Sequence, residues 1–186
     1  SIEGHQALCS EIVTFVAGAV NAGSLRGDRR PPEDLEPWSR VLLADDVSGD
    51  EWPEGRRTPE RALEIHYADR AHWERFGFGP WSVRERASNV YVGRIGLSYT
   101  RTTDGPEVEI GWLIAAGSRG QGCATEVAAE AVRVAFEVLE LDGLIALVTA
   151  GNGPSLAVAH KLGFQRAGKA DHHGIPNLLF RLGNER

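Results

Sequence analysis

The sequence predicts an α/β (α+β) chain in which a mixed, mostly antiparallel central sheet is flanked by helices and completed by a β-α-β crossover. Three features lead there. Apolar residues recur every three or four positions in the first part of the chain, the period switches to two from Trp81 onward, and a Gly-rich junction then separates a strand-like run from a long helix-like one. A meander that passes into a β-α-β unit combines antiparallel with parallel pairing, hence a mixed sheet. A length of 186 residues suits one domain with a substantial core.

The elements follow in order. Leu8, Ile12, Phe15, Val16 and Ala19 form an amphipathic stripe within Leu8–Val20. Residues 1–24 are therefore expected as a leader or extra helix, docked on the main domain or forming a contact in a homodimer, with a disordered leader as the alternative. The apolar run is shorter than the ~20 residues that span a bilayer, and it carries Glu3 and Glu11 where a secretory signal would be basic, so no membrane insertion is expected. The main domain is expected over residues 25–186, joined through the charged, proline-ended stretch Arg26–Pro32. Ser24-Leu25-Arg26-Gly27-Asp28 barely allows a strand, so that edge of the sheet is either short or replaced by the leader.

A first helix begins near Pro32, with Leu35, Trp38, Val41 and Leu42 on one face, and Ser48–Arg57 reads as a loop. Thr58 caps a second helix that opens on Pro59 and Glu60, presents Ala62, Ile65, His66 or Asp69, and Trp73 on its face, and ends at Gly77. Strands follow at Trp81–Arg86, Tyr91–Tyr99 and Glu107–Ile114, the first two joined by the turn Ala87-Ser88-Asn89. A helix over Thr125–Leu141, a buried strand over Leu144–Thr149, a helix opened by Pro154 and stopped at Gly163, and two last strands complete the order.

Composition narrows the function. The chain is 42% apolar and 25% charged, as in ordinary globular domains, and its net charge of −6 argues against nucleic acid as a partner. Cys9 and Cys123 lie far apart and form neither a disulfide framework nor a metal-ligand spacing, so a reducing cytoplasm is the expected location. His172-His173 has no carboxylate or thiol at ligand spacing, and no metal site is expected.

Arg119-Gly120-Gln121-Gly122-Cys123-Ala124 is the most informative stretch. A Gly-rich backbone between a strand and a helix turns several N–H groups toward one point, where the helix adds its positive end, making a seat for phosphate or pyrophosphate. Helix-end charge alone contributes about 0.3–1 kcal/mol when exposed, so the converging N–H groups must dominate. An ordinary tight strand-to-helix turn is the alternative. The loop is not a G-x-x-x-x-G-K-[ST] phosphate loop, since no Lys is near, nor a G-x-G-x-x-G fingerprint, since Thr125 stands where a third Gly would be needed.

The spacing Arg119-x-x-Gly122-x-Ala124 resembles the acetyl-CoA loop of the GNAT acyltransferase superfamily, and its flanks resemble the RimJ/RimL-type branch. Glu109-Ile110-Gly111-Trp112-Leu113-Ile114 is similar to that branch's fourth strand, and Asn152-Gly153-Pro154-Ser155 with Lys161-Leu162-Gly163-Phe164 to its N-x-x-S…K-L-G-F segment. Pro32-Glu33-Asp34-Leu35 and the stretch from His72-Trp73 to Trp81-Ser82-Val83-Arg84-Glu85 also resemble it, so the likeness covers residues 25–182. The resemblance implies strands that splay beside the loop and admit the pantetheine arm of acetyl-CoA. It further implies that Trp112, Leu113, Ile114, Arg119, Gly120, Gln121, Gly122, Cys123, Ala124, Thr125, Asn152 and Ser155 hold the cofactor, with Ser155 near the sulfur. Many relatives outside this branch carry a Tyr proton donor where this chain has Ala159, beside His160.

Acetyl transfer to an amine needs a group that removes the amine's proton. Glu107 and Glu109 are the candidates: their spacing places both on one strand face, opposite Val108, Ile110 and Trp112, and Glu109 matches the family's strand glutamate. The alternative is a solvated or ion-paired face, with Arg94 or Arg101 as partners. Backbone N–H groups near Leu113 and Ile114 would stabilise an oxyanion, a contribution of about 3–4 kcal/mol for a well-placed donor. Asn152 has a plainer role as a helix cap, and Trp73, Phe76, Phe78 and Trp81 line either an acceptor cleft or the core. The expected activity is N-acetyl transfer from acetyl-CoA to a primary amine, a peptide N-terminus or a small molecule, by direct reaction in a ternary complex. A non-catalytic acyl-CoA-binding or sensor domain of the same fold is the alternative, and a plain nucleotide-binding module a third.

Overall fold

One sheet runs through the molecule, and its pairing nearly stops at a single place. A computed structural model describes residues 19–44, 57–102, 105–172 and 174–184. The strands are β1 (Ala19–Ala22), β2 (Leu25–Arg29), β3 (Pro80–Glu85), β4 (Tyr91–Thr102), β5 (Gly105–Ile114), β6 (Gly143–Val148), β7 (Gln165–His172) and β8 (Ile175–Gly183). They lie in the order β1-β2-β3-β4-β5-β6-β8-β7. Every neighbouring pair is antiparallel except β5 and β6, which are parallel and joined by the crossover helix. The helices are α1 (Leu35–Leu42), α2 (Pro59–Phe76), α3 (Cys123–Arg133) and α4 (Gly153–Lys161). The mixed, mostly antiparallel sheet expected from the sequence is therefore present.

Local chemistry sets the helix bounds. Thr58 accepts a hydrogen bond from Arg61 N–H, Pro59 opens α2 without forfeiting a bond, and Gly77 closes it at φ 73°. Asn152 caps α4 in the same way through Ser155 N–H. The long helix expected over Thr125–Leu141 starts two residues earlier, on Gly122 at φ 85°, and it gives way to a π-type turn over Val134–Val138.

The amino-terminal expectations need correction. Ala19 and Val20, the end of the expected helical stripe, belong to strand β1, and the rest of that stripe lies outside the described residues. Leu25–Arg29 is a full strand between β1 and β3 rather than an interdomain junction. Its inward side holds Leu25 and Gly27, too little apolar surface to signal a strand, yet Leu25 is 1% exposed. Arg30, just beyond, is fully buried.

Two apolar clusters face the sheet from opposite sides. Trp38, Val41 and Leu42 of α1 and Ala62 of α2 pack with Tyr91, Leu113 and Ala115. Val127, Ala128 and Ala131 of α3 pack with Val108, Ile110, Ile114 and Val92. Burying one such side chain stabilises the fold by about 1.5–3 kcal/mol. Trp73, Phe78 and Trp81 are core residues at 1–3% exposure, not the walls of an acceptor cleft. The register shifts between Val83 and Arg84, a bulge that lets Tyr91 and Arg94, three residues apart, both point toward α1 and α2.

Candidate active site

β4 pairs with β5 along its whole length, but β5 meets β6 at Glu109↔Ile145 and then diverges from it. Ala115 N–H reaches Val92 C=O at 2.8 Å, so alternation along this unbulged ladder turns Leu113 and Gly111 toward β4. Trp112 and Ile114 therefore present their main chain to the gap. Of the two amides expected to serve an oxyanion, Leu113 N–H is taken up in the sheet and Ile114 is on the open side. A cleft of about 1270 Å³ occupies the divergence. It passes through the sheet: Arg94, Glu109, Gly111 and Asp69 line it on the α2 side, and Trp112, Ser155 and the Gly-rich loop on the α3 and α4 side.

The loop is built as an anion seat requires. Gly120 and Gly122 adopt φ 72° and 85°, a left-handed geometry costly to residues with a Cβ. The first bond of α3 runs from Glu126 N–H to Gly122 C=O at 3.0 Å, leaving the N–H groups of Cys123, Ala124 and Thr125 without intrahelical acceptors. No side chain caps this helix, and a Cβ built at Gly120 or Gly122 meets nothing within 4 Å. Ser118, Arg119, Gly120 and Gly122 to Thr125 all line the cleft. Gln121 is not among these lining residues; its side chain donates to Gly117 C=O at 2.8 Å. Arg119 folds back so that Nε donates to Ile114 C=O at 2.9 Å, fastening the loop to the end of β5.

The two glutamates part company. Glu109 sits in the cleft half-buried, and burial pushes its carboxyl up to about 7 against the Arg94 charge and a Thr100 hydrogen bond, both of which pull it down. Glu107 is bound by both terminal nitrogens of Arg181 on β8 and by Thr102 Oγ1 at 2.8 Å, and Arg181 and Thr102 hold its carboxyl below the usual range although burial opposes them. It is not among the residues lining the cleft, so its expected candidacy as base gives way to a structural ion pair. That partner is Arg181, not Arg94 or Arg101.

Trp112 Nε1, a donor only, bonds Ser155 Oγ at 3.1 Å. The serine hydroxyl is thereby fixed as acceptor toward Trp112, and its proton is left to donate elsewhere. Asn152 Oδ1 accepts Ser155 N–H at 3.0 Å, so its capping role is occupied while the residue still lines the cleft. Ala159 is 0% exposed within the α3-side cluster, and no proton donor stands there. His160 is exposed.

Sequence reasoning named Arg94 only as an ion partner for the glutamate face and Asp69 only as a face residue of α2, and it missed Thr100 and Asn177; the fold brings all four to the cleft. Asp69 gave one signal, an acid interrupting the apolar face of α2. It is bound twice by Arg94, at 2.6 and 2.7 Å, and lies 3.3 Å from Arg30 Nε. His66 beside them accepts at Nδ1 from Arg30 Nη2 at 3.3 Å; burial first, then the Arg30 charge, pushes its imidazole down to about 4, which leaves it neutral. Among the described residues, no three His, Cys, Asp or Glu side chains group to hold a metal, and no helix is long and apolar enough to cross a membrane.

The model of the acetyltransferase (GNAT) domain matches residues 29–165, well over half of the sequence. The chain belongs to that family. Acetyl transfer is thus supported as its general reaction class, within a family that uses acetyl-CoA. Among solved structures this GNAT chain resembles an Agrobacterium tumefaciens acetyltransferase at 25% identity and TM-score 0.77, covering 88% of this chain and 93% of that one. An acetyltransferase of the GNAT family from Bacillus anthracis is 22% identical with TM-score 0.73, covering 90% and 99%, a likeness of fold alone. Mycobacterium smegmatis RimJ, solved in complex with CoA-disulfide, is 25% identical with TM-score 0.67, covering 90% and 87%. The curated YkkB protein of Bacillus subtilis is 26% identical over 88 residues, 47% of this chain and 51% of YkkB, so the chain spans about half the length of that relative.

Proposed function

We propose that this GNAT chain is a RimJ/RimL-type N-acetyltransferase that moves an acetyl group from acetyl-CoA directly to a primary amine, a peptide N-terminus or a small amine, in the cytoplasm. The observation that carries the reading is the sheet's divergence after Glu109, which sets a half-buried carboxylate and the open amides of the loop on one cleft. The sequence motifs and the likeness to Mycobacterium smegmatis RimJ support the branch.

The open amides of Gly120 and of Cys123 to Thr125 would grip the diphosphate, with room for close approach because nothing lies within 4 Å of a Cβ at Gly120 or Gly122. The open edge of β5 at Trp112 and Ile114 would hold the pantetheine arm as a neighbouring strand would. The amine then enters from the α2 side and the thioester from the α3 and α4 side, meeting where the sheet parts.

Glu109 takes the proton that an ammonium acceptor must lose, and a carboxyl pushed up to about 7 is matched to that task at neutral pH. The amine nitrogen bonds to the acetyl carbon as the C–S bond breaks. The Ser155 hydroxyl, oriented by Trp112, donates to the departing sulfur, and the second amine proton ends on the thiol. With no donor at Ala159, a thiolate stabilised by hydrogen bonding leaves without a Tyr acid.

Free-thiol release from acetyl-CoA across a panel of peptides and small amines tests this, with Glu109→Gln as the control. Turnover lost in Glu109→Gln with CoA binding retained is the expected result. CoA binding with no turnover on any acceptor would favour the non-catalytic sensor, the reading that the buried Ala159 recommends.

A further inference from the structure

Glu109 has an immediate neighbour that the reaction above does not use. Arg94 on β4 pairs in register with Leu113, while Ser98 pairs with Glu109, so Arg94 and Glu109 share the α2-facing side with only Gly111 between Glu109 and Leu113 on that face. Gly111 has no side chain, and Arg94 Nη1 lies 3.7 Å from where its Cβ would be. The guanidinium thus lies across Gly111 in the direction of Glu109. Its other two nitrogens are committed: Nε and Nη2 bind the two oxygens of Asp69 at 2.6 and 2.7 Å.

Two carboxylates therefore compete for one guanidinium, and the geometry explains why Asp69 holds it. Asp69 projects from α2 squarely onto the Nε–Nη2 edge, the bidentate arrangement that a carboxylate fills best. Arg30 lies on its other side at 3.3 Å. The trio Arg30, Asp69 and Arg94 carries one net positive charge, and an ionised Glu109 would balance it. If Arg94 were released to bind Glu109 directly, the ion pair would hold the carboxylate ionised but unable to take a proton.

We propose that Arg94 is a positioning residue, clamped by Asp69 so that its charge biases Glu109 toward the ionised form without capturing it in an ion pair. The inference rests on the reading of Glu109 as the base. Of the other charged groups lining this cleft, Arg61 and Glu64 of α2 pair with each other at 2.8 Å. On β4, Thr100 donates to Glu109. On its own strand, Glu107 is tied to Arg181 of β8. On α2, His72 donates from Nδ1 to Phe78 C=O and accepts Tyr99 N–H at Nε2, which fixes it as neutral, and burial pulls its imidazole down. From β6, the facing residue is the apolar Ile145. Lys161 of α4 is exposed at the far wall of the cleft.

The test titrates the Glu109 carboxyl itself, by carbon-detected NMR on the full chain labelled at Glu, assigned by the signal lost in Glu109→Gln. Arg94→Met leaves Asp69 paired with Arg30, so no orphaned carboxylate is created, and it should raise the Glu109 midpoint by about 1 to 3 pH units. Asp69→Asn frees Arg94 toward Glu109 and should lower the midpoint instead. Arg94→Lys, which keeps the charge, should return the midpoint toward the native value. Opposite shifts in the first two variants, with rescue in the third, are a signature that a merely structural role would not produce. A midpoint unmoved in folded Arg94→Met, or moving the same way in Arg94→Met and Asp69→Asn, overturns the proposal. The reading of Glu109 as base fails separately: if these shifts appear but Glu109→Gln transfers acetyl groups at the native rate, the electrostatic assignment stands and the base assignment falls.

Discussion

Removing the Glu109 charge should make the protein more stable as it becomes less active. In the folded chain burial raises the carboxyl from 4.5 to about 7. The native state therefore holds a proton between those values that the unfolded chain has released. With more protons bound in the native state, stability falls as pH rises from about 4.5 to about 7 and is level above that. At 1.36 kcal/mol per pH unit the interval corresponds to about 3 kcal/mol, and water in the cleft reduces the effect to about 1–3 kcal/mol. Glu109→Gln abolishes this slope. The assay is urea unfolding of native and Glu109→Gln protein at pH 4.5 and pH 8. The variant should gain about 1–3 kcal/mol over the native chain at pH 8 relative to their difference at pH 4.5, a shift of several degrees in Tm for a domain of this size. In the same protein, native kcat/KM should rise with pH to a plateau above about 7, a limb that Glu109→Gln lacks. Unfolding curves whose pH dependence is parallel in the two proteins would refute the idea that burial holds this carboxyl high.

Other perturbations separate the remaining roles. Gly122→Val should weaken CoA binding at least tenfold in a folded protein, because the side chain fills open space beside the loop amides and disfavours φ 85°; unchanged affinity by calorimetry would displace the phosphates from this loop. Ser155→Ala should lower kcat by about tenfold to a hundredfold with CoA affinity nearly unchanged, since one hydrogen bond to a charged leaving group is worth about 1.5–3 kcal/mol; steady-state kinetics read the split. Asn152→Ala should cost about 1 kcal/mol of stability through the lost α4 cap, measured by urea unfolding. Glu107→Gln should leave kcat/KM within about threefold and cost under about 1 kcal/mol, as a partly exposed ion pair with Arg181 does; a collapse of turnover would restore Glu107 as a base.

The legible parts of this molecule are those whose cause is local. Thr58 with Pro59, Asn152 with Pro154, and Gly77 mark helix ends because a cap needs only neighbouring amides. The loop from Arg119 to Ala124 could be recognised for the same reason: glycine at positive φ and the open amides of a first turn are properties of consecutive residues. β2 escaped because a strand inside a sheet is stabilised by its partners, and Leu25 alone could not announce them. Trp73, Phe76, Phe78 and Trp81 carried no sign of which way they faced; packing put Trp73, Phe78 and Trp81 in the core and left Phe76 half-buried against it.

The choice between Glu107 and Glu109 shows the division most clearly. Residue order determined that both carboxylates would share a strand face, and that the phosphate-type loop would follow that strand directly. Only the tertiary structure decided which glutamate is held by an ion pair and which waits in the cleft. Glu107 meets Arg181 from 74 positions away, and Asp69 clamps Arg94 from 25 positions away. A carboxyl's charge state depends on its burial and on every charge within a few ångströms, and those surroundings are assembled by the fold from chain segments that no local pattern connects.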